Sequence, residues 1–138
     1  MRYRLGNKGG WSAWFRFFIK PFGAPSFAQF WREWNPVYGY VLYYYSYRPL
    51  SRIVLRPAAV LPTFIACGFL LHDLPAWVFT GRVLPPGATI AFTMFGVGAL
   101  LGERFHMDLS SWPIPARAAV NLTYLVGCVG AMLLIVPH

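Results

Sequence analysis

His72 and Asp73 stand side by side in FIACGFLLHDLPAWVF, residues 64–79, a run with no other ionisable side chain except Cys67. An ionisable group this deep in an apolar segment costs about 2.5–3.5 kcal/mol or more on insertion scales, so it ordinarily faces protein or water and serves a task. Two tasks fit. An imidazole can be a general base that takes the proton from a hydroxyl nucleophile. Alternatively, a His-Asp pair can fasten two helices together, or lie at the interface if the span ends early. A second stretch with mixed chemistry is FAQFWREWNPVY, residues 27–38, where Trp31 and Trp34 flank Arg32 and Glu33, and Asn35 precedes Pro36. It reads as a membrane-surface anchor, a piece of an active site, or both. Glu103 and His106 have the Glu-x-x-His spacing of carboxylate-bridged di-iron bundles. Such sites need several more carboxylates, and the chain has four acidic residues in all, so no metal is expected. His72 or His106 could also ligate a haem or chlorin, but no spacing demands it. Nucleophile elbows, phosphate loops, dinucleotide fingerprints and zinc-ligand spacings do not occur.

Composition says which solvent these residues meet. Of 138 residues, 57% are hydrophobic, 19% aromatic and 12% charged; a soluble domain carries about 25% charged residues. The bilayer is the expected solvent. The net charge of +8 is lopsided, with nine of twelve basic residues before residue 57. These interleave with Trp and Phe, which suits anionic lipid headgroups and a cytoplasmic N-terminal segment better than nucleic acid. Cys67 and Cys128 sit in apolar runs as small buried residues, without the spacing of a disulfide framework. No cleavable signal peptide is apparent.

The elements follow from spacing and breakers. Residues 1–10 form a basic, glycine-rich tail, residues 11–52 an interfacial region, and residues 53–138 a three-span region. WSAWFRFFIKPF, residues 11–22, has amphipathic helical spacing and is too short and too charged to span. Pro21, Gly23 and Pro25 break it, and Ser26 is placed to cap the next helix. On that helix Phe27, Phe30, Trp31 and Trp34 make one apolar stripe, expected to lie along the membrane surface. Residues 37–50 are tyrosine-rich and suit the interface. Spanning segments are expected at about 53–79, with prolines at 57, 62 and 75, then at 88–105 and 116–136. The fold class is therefore an all-α integral membrane protein, with about three transmembrane helices after one or two amphipathic interfacial helices. The basic residues put the N-terminus in the cytoplasm and the C-terminus on the opposite side. Gly98 and Gly102, like Gly127 and Ala131, are four apart, a spacing that lets helix backbones approach in lipid.

Taken in order, FAQFWREWNPVY, YSYRPL and a span holding FIACGFLLHDL resemble the membrane-bound O-acyltransferase family over about residues 27–80. Members carry a Phe-Trp…Trp motif followed by His or Asn on a surface helix, and then a histidine deep in a membrane helix. Trp34-Asn35-Pro36-Val37 is similar to the motif of the sterol and diacylglycerol acyltransferase branch, although Asp73 and the immediate Asn35-Pro36 junction depart from it. The resemblance implies a helix bundle with a tunnel, in which a thioester donor such as acyl-CoA is used to acylate a hydroxyl. It implies His72 as the catalytic base, with Asn35 and Asp73 beside it, and Asn35 offering its amide to the oxyanion. It leaves Trp31, Trp34, Arg32, Arg48 and Arg52, with Arg56, to meet the substrate, the arginines binding CoA phosphates or snorkelling to lipid phosphate. Members carry several helices before the region that starts here at Phe27, so a second membrane subunit is expected to supply them. No cofactor is expected, and the partners are lipids and that subunit rather than nucleic acid. The alternative is a non-catalytic structural subunit of a larger complex that packs through its glycine-bearing faces.

Overall fold

A computed structural model describes residues 11–34 and 36–136. Helix α1 is Trp11–Phe22, with Pro21 inside its last turn. It ends one residue later because Gly23 and Ala24 close the turn through hydrogen bonds to the Ile19 and Pro21 carbonyls, at 2.8 and 3.0 Å. Helix α2, Phe27–Glu33, starts at the expected cap: the Ser26 hydroxyl accepts from the Gln29 N–H at 3.2 Å. Helix α3, Pro36–Leu42, continues through a π-helical turn, Tyr43–Tyr47, into the short segment Arg48–Leu50.

The long element is α4, Arg56–Gly68, a second π turn, Phe69–Asp73, and α5, Leu74–Thr80. Both π turns end two residues before a proline, Pro49 and Pro75. The physical reason is shared. A helical proline lacks the N–H that would bond the carbonyl four residues back, and its ring collides with that carbonyl. Widening the preceding turn moves the carbonyl aside while keeping the helix continuous. Gly81 ends α5 in the left-handed region at φ 65°. Helix α6, Gly87–Arg104, returns along α4, and α7 is Ile114–Ile135. The described residues contain helices, turns and loops, and no strand.

Two helices are long and apolar enough to cross a membrane, Arg56–Thr80 and Ile114–Ile135. The third expected crossing, α6, is 18 residues long but ends in Glu103 and Arg104, which keeps it from that class. Large apolar side chains point outward along these elements: Phe79 is 90% exposed and Leu134 89%.

The aromatic stripe of α2 is packed differently from the expectation. Phe30 is fully buried, and Phe27 and Trp31 lie against Phe95, so the stripe faces the helix bundle rather than lipid. Trp34 stacks on Phe30 at 5.4 Å and meets Phe22 edge-on. Helical spacing had specified the face correctly; what covers that face is α6 and α7. The glycine pattern divides similarly. Gly98 is covered within the chain by Tyr124, whose hydroxyl donates to the Met94 carbonyl at 2.8 Å, whereas Gly102 and Gly127 have open space where a Cβ would stand.

Asn121 ties α7 to the turn after α1. It is 1% exposed, and its amide nitrogen donates to the Phe22 and Ala24 carbonyls at 2.9 and 3.2 Å. Asn121→Leu removes both donors and leaves two carbonyls without them, at a cost of about 1–3 kcal/mol. The expected result is a lowered midpoint of thermal unfolding in detergent. Nearby, Arg117 donates to the carbonyls of Gly23, Ser110 and Trp112.

Candidate active site

Four elements converge around His72: the π turn that carries it, the first turns of α6, α3 through Tyr38, and α2 behind Phe92. The imidazole is half-buried, and its Nδ1 lies 3.1 Å from the Cys67 carbonyl. A carbonyl oxygen can only accept, so Nδ1 carries a proton in this bond, and in the neutral imidazole the lone pair is on Nε2. The ring lies 4.7 Å from Phe92 at 37° and 6.4 Å from Tyr38 at 75°. An imidazole held by Nδ1, with Nε2 as its basic atom and aromatic neighbours, has the tautomer and the surroundings of a general base.

Asp73 does something else. It is 7% exposed, and both carboxylate oxygens turn to the start of α6. Oδ1 accepts from the Ala88 N–H at 3.1 Å, and Oδ2 accepts from the Thr89 N–H at 2.7 Å and the Thr89 hydroxyl at 2.5 Å. The imidazole's hydrogen bond goes to Cys67 instead, so His72 and Asp73 do not form a pair with each other. The hydrogen bonds that join the π turn to α6 here are made by Asp73, while His72 meets α6 through its ring contact with Phe92.

Trp31 reaches the site through one residue: Phe92 lies 5.6 Å from the Trp31 ring and 4.7 Å from His72. The Trp31 indole also meets Phe64 edge-on at 5.4 Å, and its Nε1 is buried without a hydrogen-bond partner among the described residues. Trp34 packs within the α1–α2 aromatic cluster and is not brought to His72. Asn35 lies outside the described residues.

The arginines form a separate constellation. Arg32 and Arg56 both donate to Glu103 Oε1, at 3.4 and 3.0 Å, which joins α2, α4 and α6 at one end of the bundle. Lys20 pairs with Glu33 at 3.7 Å. Arg48 lies over the Tyr44 ring at 5.5 Å, and Arg52 is exposed. These pairs are largely solvent-exposed and contribute little to stability. His72 is sixteen residues beyond Arg56, roughly 24 Å along the helix axis. Only an extended ligand could touch both places.

The Glu103–His106 reading fails on geometry. Helix α6 stops at Arg104, and His106 lies beyond it with φ 51°, so the two side chains do not share a helical face. Among the described residues no three His, Cys, Asp or Glu side chains gather in a metal-holding group. An apolar groove of about 810 Å³ runs between α6 and α7, lined by Thr93, Met94 and Val97 on one side and Ala119, Thr123 and Gly127 on the other. It belongs to a different face of α6 from Phe92 and Gly96, which meet His72 and Phe64.

Phe92, Tyr38 and Thr89 were not singled out from sequence. Thr89 had a legible signal. The segment PPGAT opens α6 with no side chain able to cap it from Pro86, so an acceptor had to come from elsewhere. No protein-family model matches the chain, and neither a curated protein nor a solved structure shows significant similarity to it.

Proposed function

We propose that this chain is an integral membrane component of an acyltransferase similar to the membrane-bound O-acyltransferases, moving an acyl group from a thioester such as acyl-CoA to a hydroxyl. The observation that carries the reading is the half-buried imidazole within an apolar helix, held through Nδ1 to the Cys67 carbonyl so that Nε2 is the basic atom. The order of the Phe-Trp motif, the Tyr-Arg-Pro-Leu segment and this histidine supports it. In the reaction, Nε2 removes the proton from the acceptor hydroxyl as its oxygen attacks the thioester carbonyl. The C–S bond of the tetrahedral intermediate then breaks, and the proton passes to the departing thiolate, giving an ester and free CoA thiol. The amide of Asn35 is the proposed oxyanion donor. Aromatic and aliphatic helices exclude water, which suppresses hydrolysis of the thioester.

In this reading Arg56–Thr80, Gly87–Arg104 and Ile114–Ile135 cross the bilayer, and the end bearing Lys20, Arg32, Arg56, Arg104 and Arg117 faces the cytoplasm. Arg82, after α5, faces the other side. Arg32, Arg48, Arg52 and Arg56 receive the donor's phosphates, and a long pantetheine arm bridges the distance from Arg56 to His72. A second membrane subunit completes the tunnel. A non-catalytic subunit remains the second reading, favoured by the open spaces at Gly102 and Gly127, where another helix could pack.

The test is purification in mild detergent together with whatever co-purifies, followed by acyl-CoA addition with parallel readout of free thiol and acyl ester. Coupled appearance of both is expected. Their joint absence from an intact assembly would favour the structural subunit. An Arg32→Gln/Arg56→Gln protein is expected to raise the KM for acyl-CoA about tenfold or more, as two charge-assisted phosphate contacts are lost, with kcat little changed.

A further inference from the structure

We infer that Asp73 is a positioning residue: it caps helix α6 from outside that helix, and so sets the angle at which its neighbour His72 presents Nε2. This rests on the reading of His72 as the base.

A helix leaves its first four N–H groups without intrahelical partners. In α6 these positions can all be accounted for. The cap residue, Pro86, has no N–H, and the first intrahelical bond runs from the Ile90 N–H to its carbonyl at 3.1 Å. The Gly87 N–H bonds the Pro85 carbonyl at 2.7 Å. The other two, Ala88 and Thr89, go to the two carboxylate oxygens of Asp73. These are the second and third helical positions, the N–H groups that a capping side chain ordinarily serves. The residue in the cap position is Pro86, which has no side-chain acceptor to offer. Asp73 replaces it, and the positive end of the helix dipole favours its carboxylate there. In an apolar surrounding water cannot substitute.

The cap acts at a particular point of the π turn. Asp73 is that turn's last residue and directly follows His72. Just before the turn, Gly68 is pressed against the same place: a Cβ on it would stand 2.6 Å from the Thr89 Cα and 2.7 Å from the Ala88 carbonyl oxygen. Ala88 and Thr89 therefore hold the turn on both sides. His72, between these two anchors, has one side-chain hydrogen bond, and that stays in its own turn. Its ring rests on Phe92, one helical turn into α6 from Thr89. The register between π turn and α6 decides whether the imidazole meets Phe92 at all, and Asp73 with Gly68 sets that register.

Asp73→Asn and Asp73→Ala separate positioning from chemistry. Asparagine keeps one acceptor oxygen for the Thr89 N–H and hydroxyl, but its NH2 cannot accept from the Ala88 N–H, so a positioning role predicts that D73N is intermediate, with kcat lowered about tenfold. D73A, by releasing the turn, lowers kcat about 100-fold, the effect of an ångström-scale misplacement, with KM unchanged. If D73N falls as far as D73A, the carboxylate charge takes part in the chemistry and the inference is overturned. A second measurement does not need turnover: hydrogen exchange at the Ala88 and Thr89 amides, with the rate of His72 acylation by diethylpyrocarbonate, in detergent-solubilised protein. Both rates should rise about tenfold or more in D73A, as the loss of a cap opens the first turn, and rise less in D73N, where the Thr89 amide keeps its acceptor and the Ala88 amide does not. Unchanged rates in D73A would overturn the inference. Altered rates in a protein without transfer activity would retain the cap and reject the acyltransferase reading. If D73A does not fold, Thr89→Val, which removes one of the three bonds, gives the same readouts at smaller amplitude.

Discussion

His72→Ala is expected to lower acyl transfer by about 10²- to 10⁴-fold, the range for losing a general base, while the protein still folds and assembles. The structural part of this expectation follows from how little the imidazole holds together. It is half-buried, bonds one carbonyl in its own turn, and rests on Phe92. The links between helices at this level belong to Asp73 and Gly68, so truncating His72 leaves them in place. His72→Asn is the sharper variant. Its amide nitrogen stands three bonds from Cα, where Nδ1 stands, so it can donate to the Cys67 carbonyl, yet asparagine cannot take a proton. H72N should therefore lose as much transfer as H72A. Steady-state release of CoA thiol by the purified assembly measures both. Equal activity in wild type, H72A and H72N would leave the imidazole with no chemical role.

Gly68→Ala is expected to be strongly disruptive, because among the described glycines it is the one whose added carbon would meet three backbone atoms within 3.0 Å. Most glycine contacts in this structure are with side chains that can move, as at Gly96, where the nearest atom is the Phe64 Cβ at 3.1 Å. At Gly68 the obstacles are backbone: Thr89 Cα at 2.6 Å, Ala88 O at 2.7 Å and Ala88 C at 2.9 Å. Neither helix can yield locally, so α4 and α6 must separate. Overpacking of this kind costs about 1–3 kcal/mol, occasionally more, and the separation also stretches the Asp73 bonds to Ala88 and Thr89. The thermal midpoint in detergent should fall clearly, and transfer with it. Gly127→Ala, with nothing within 4 Å of the added carbon, is the matched control and should leave both unchanged.

The course of the helices could be read from the sequence, because apolar spacing, prolines and Ser26 mark their ends. The expected 11–22, 88–105 and 116–136 match Trp11–Phe22, Gly87–Arg104 and Ile114–Ile135 within two residues at each boundary. The environment of a face was less accessible. Phe27, Phe30, Trp31 and Trp34 would show the same spacing against lipid or against protein, and only the return of α6 and α7 decides between them. The different partners of His72 and Asp73 follow from helix geometry. Consecutive helical residues point about 100° apart, so the Asp73 carboxylate meets the start of α6 while the imidazole bonds its own turn and rests on Phe92. The π turns were half legible: Pro49 and Pro75 announced a disturbance, but not that a widened turn would absorb it without ending the helix. Glu103 and His106 carried a spacing that means something only within a helix, and this helix stops between them.

The central claim is that a thioester carbonyl comes to His72, and photo-crosslinking reads this directly. A donor carrying a diazirine on the acyl carbon next to the thioester carbonyl is bound to the assembly in lipid vesicles, illuminated, and the labelled residues are found by mass spectrometry. Labelling on Tyr38, His72 and Phe92, lost when unlabelled acyl-CoA competes, is expected. Competable labelling confined to the α6–α7 groove, at Val97, Ala119 and Thr123, would contradict it.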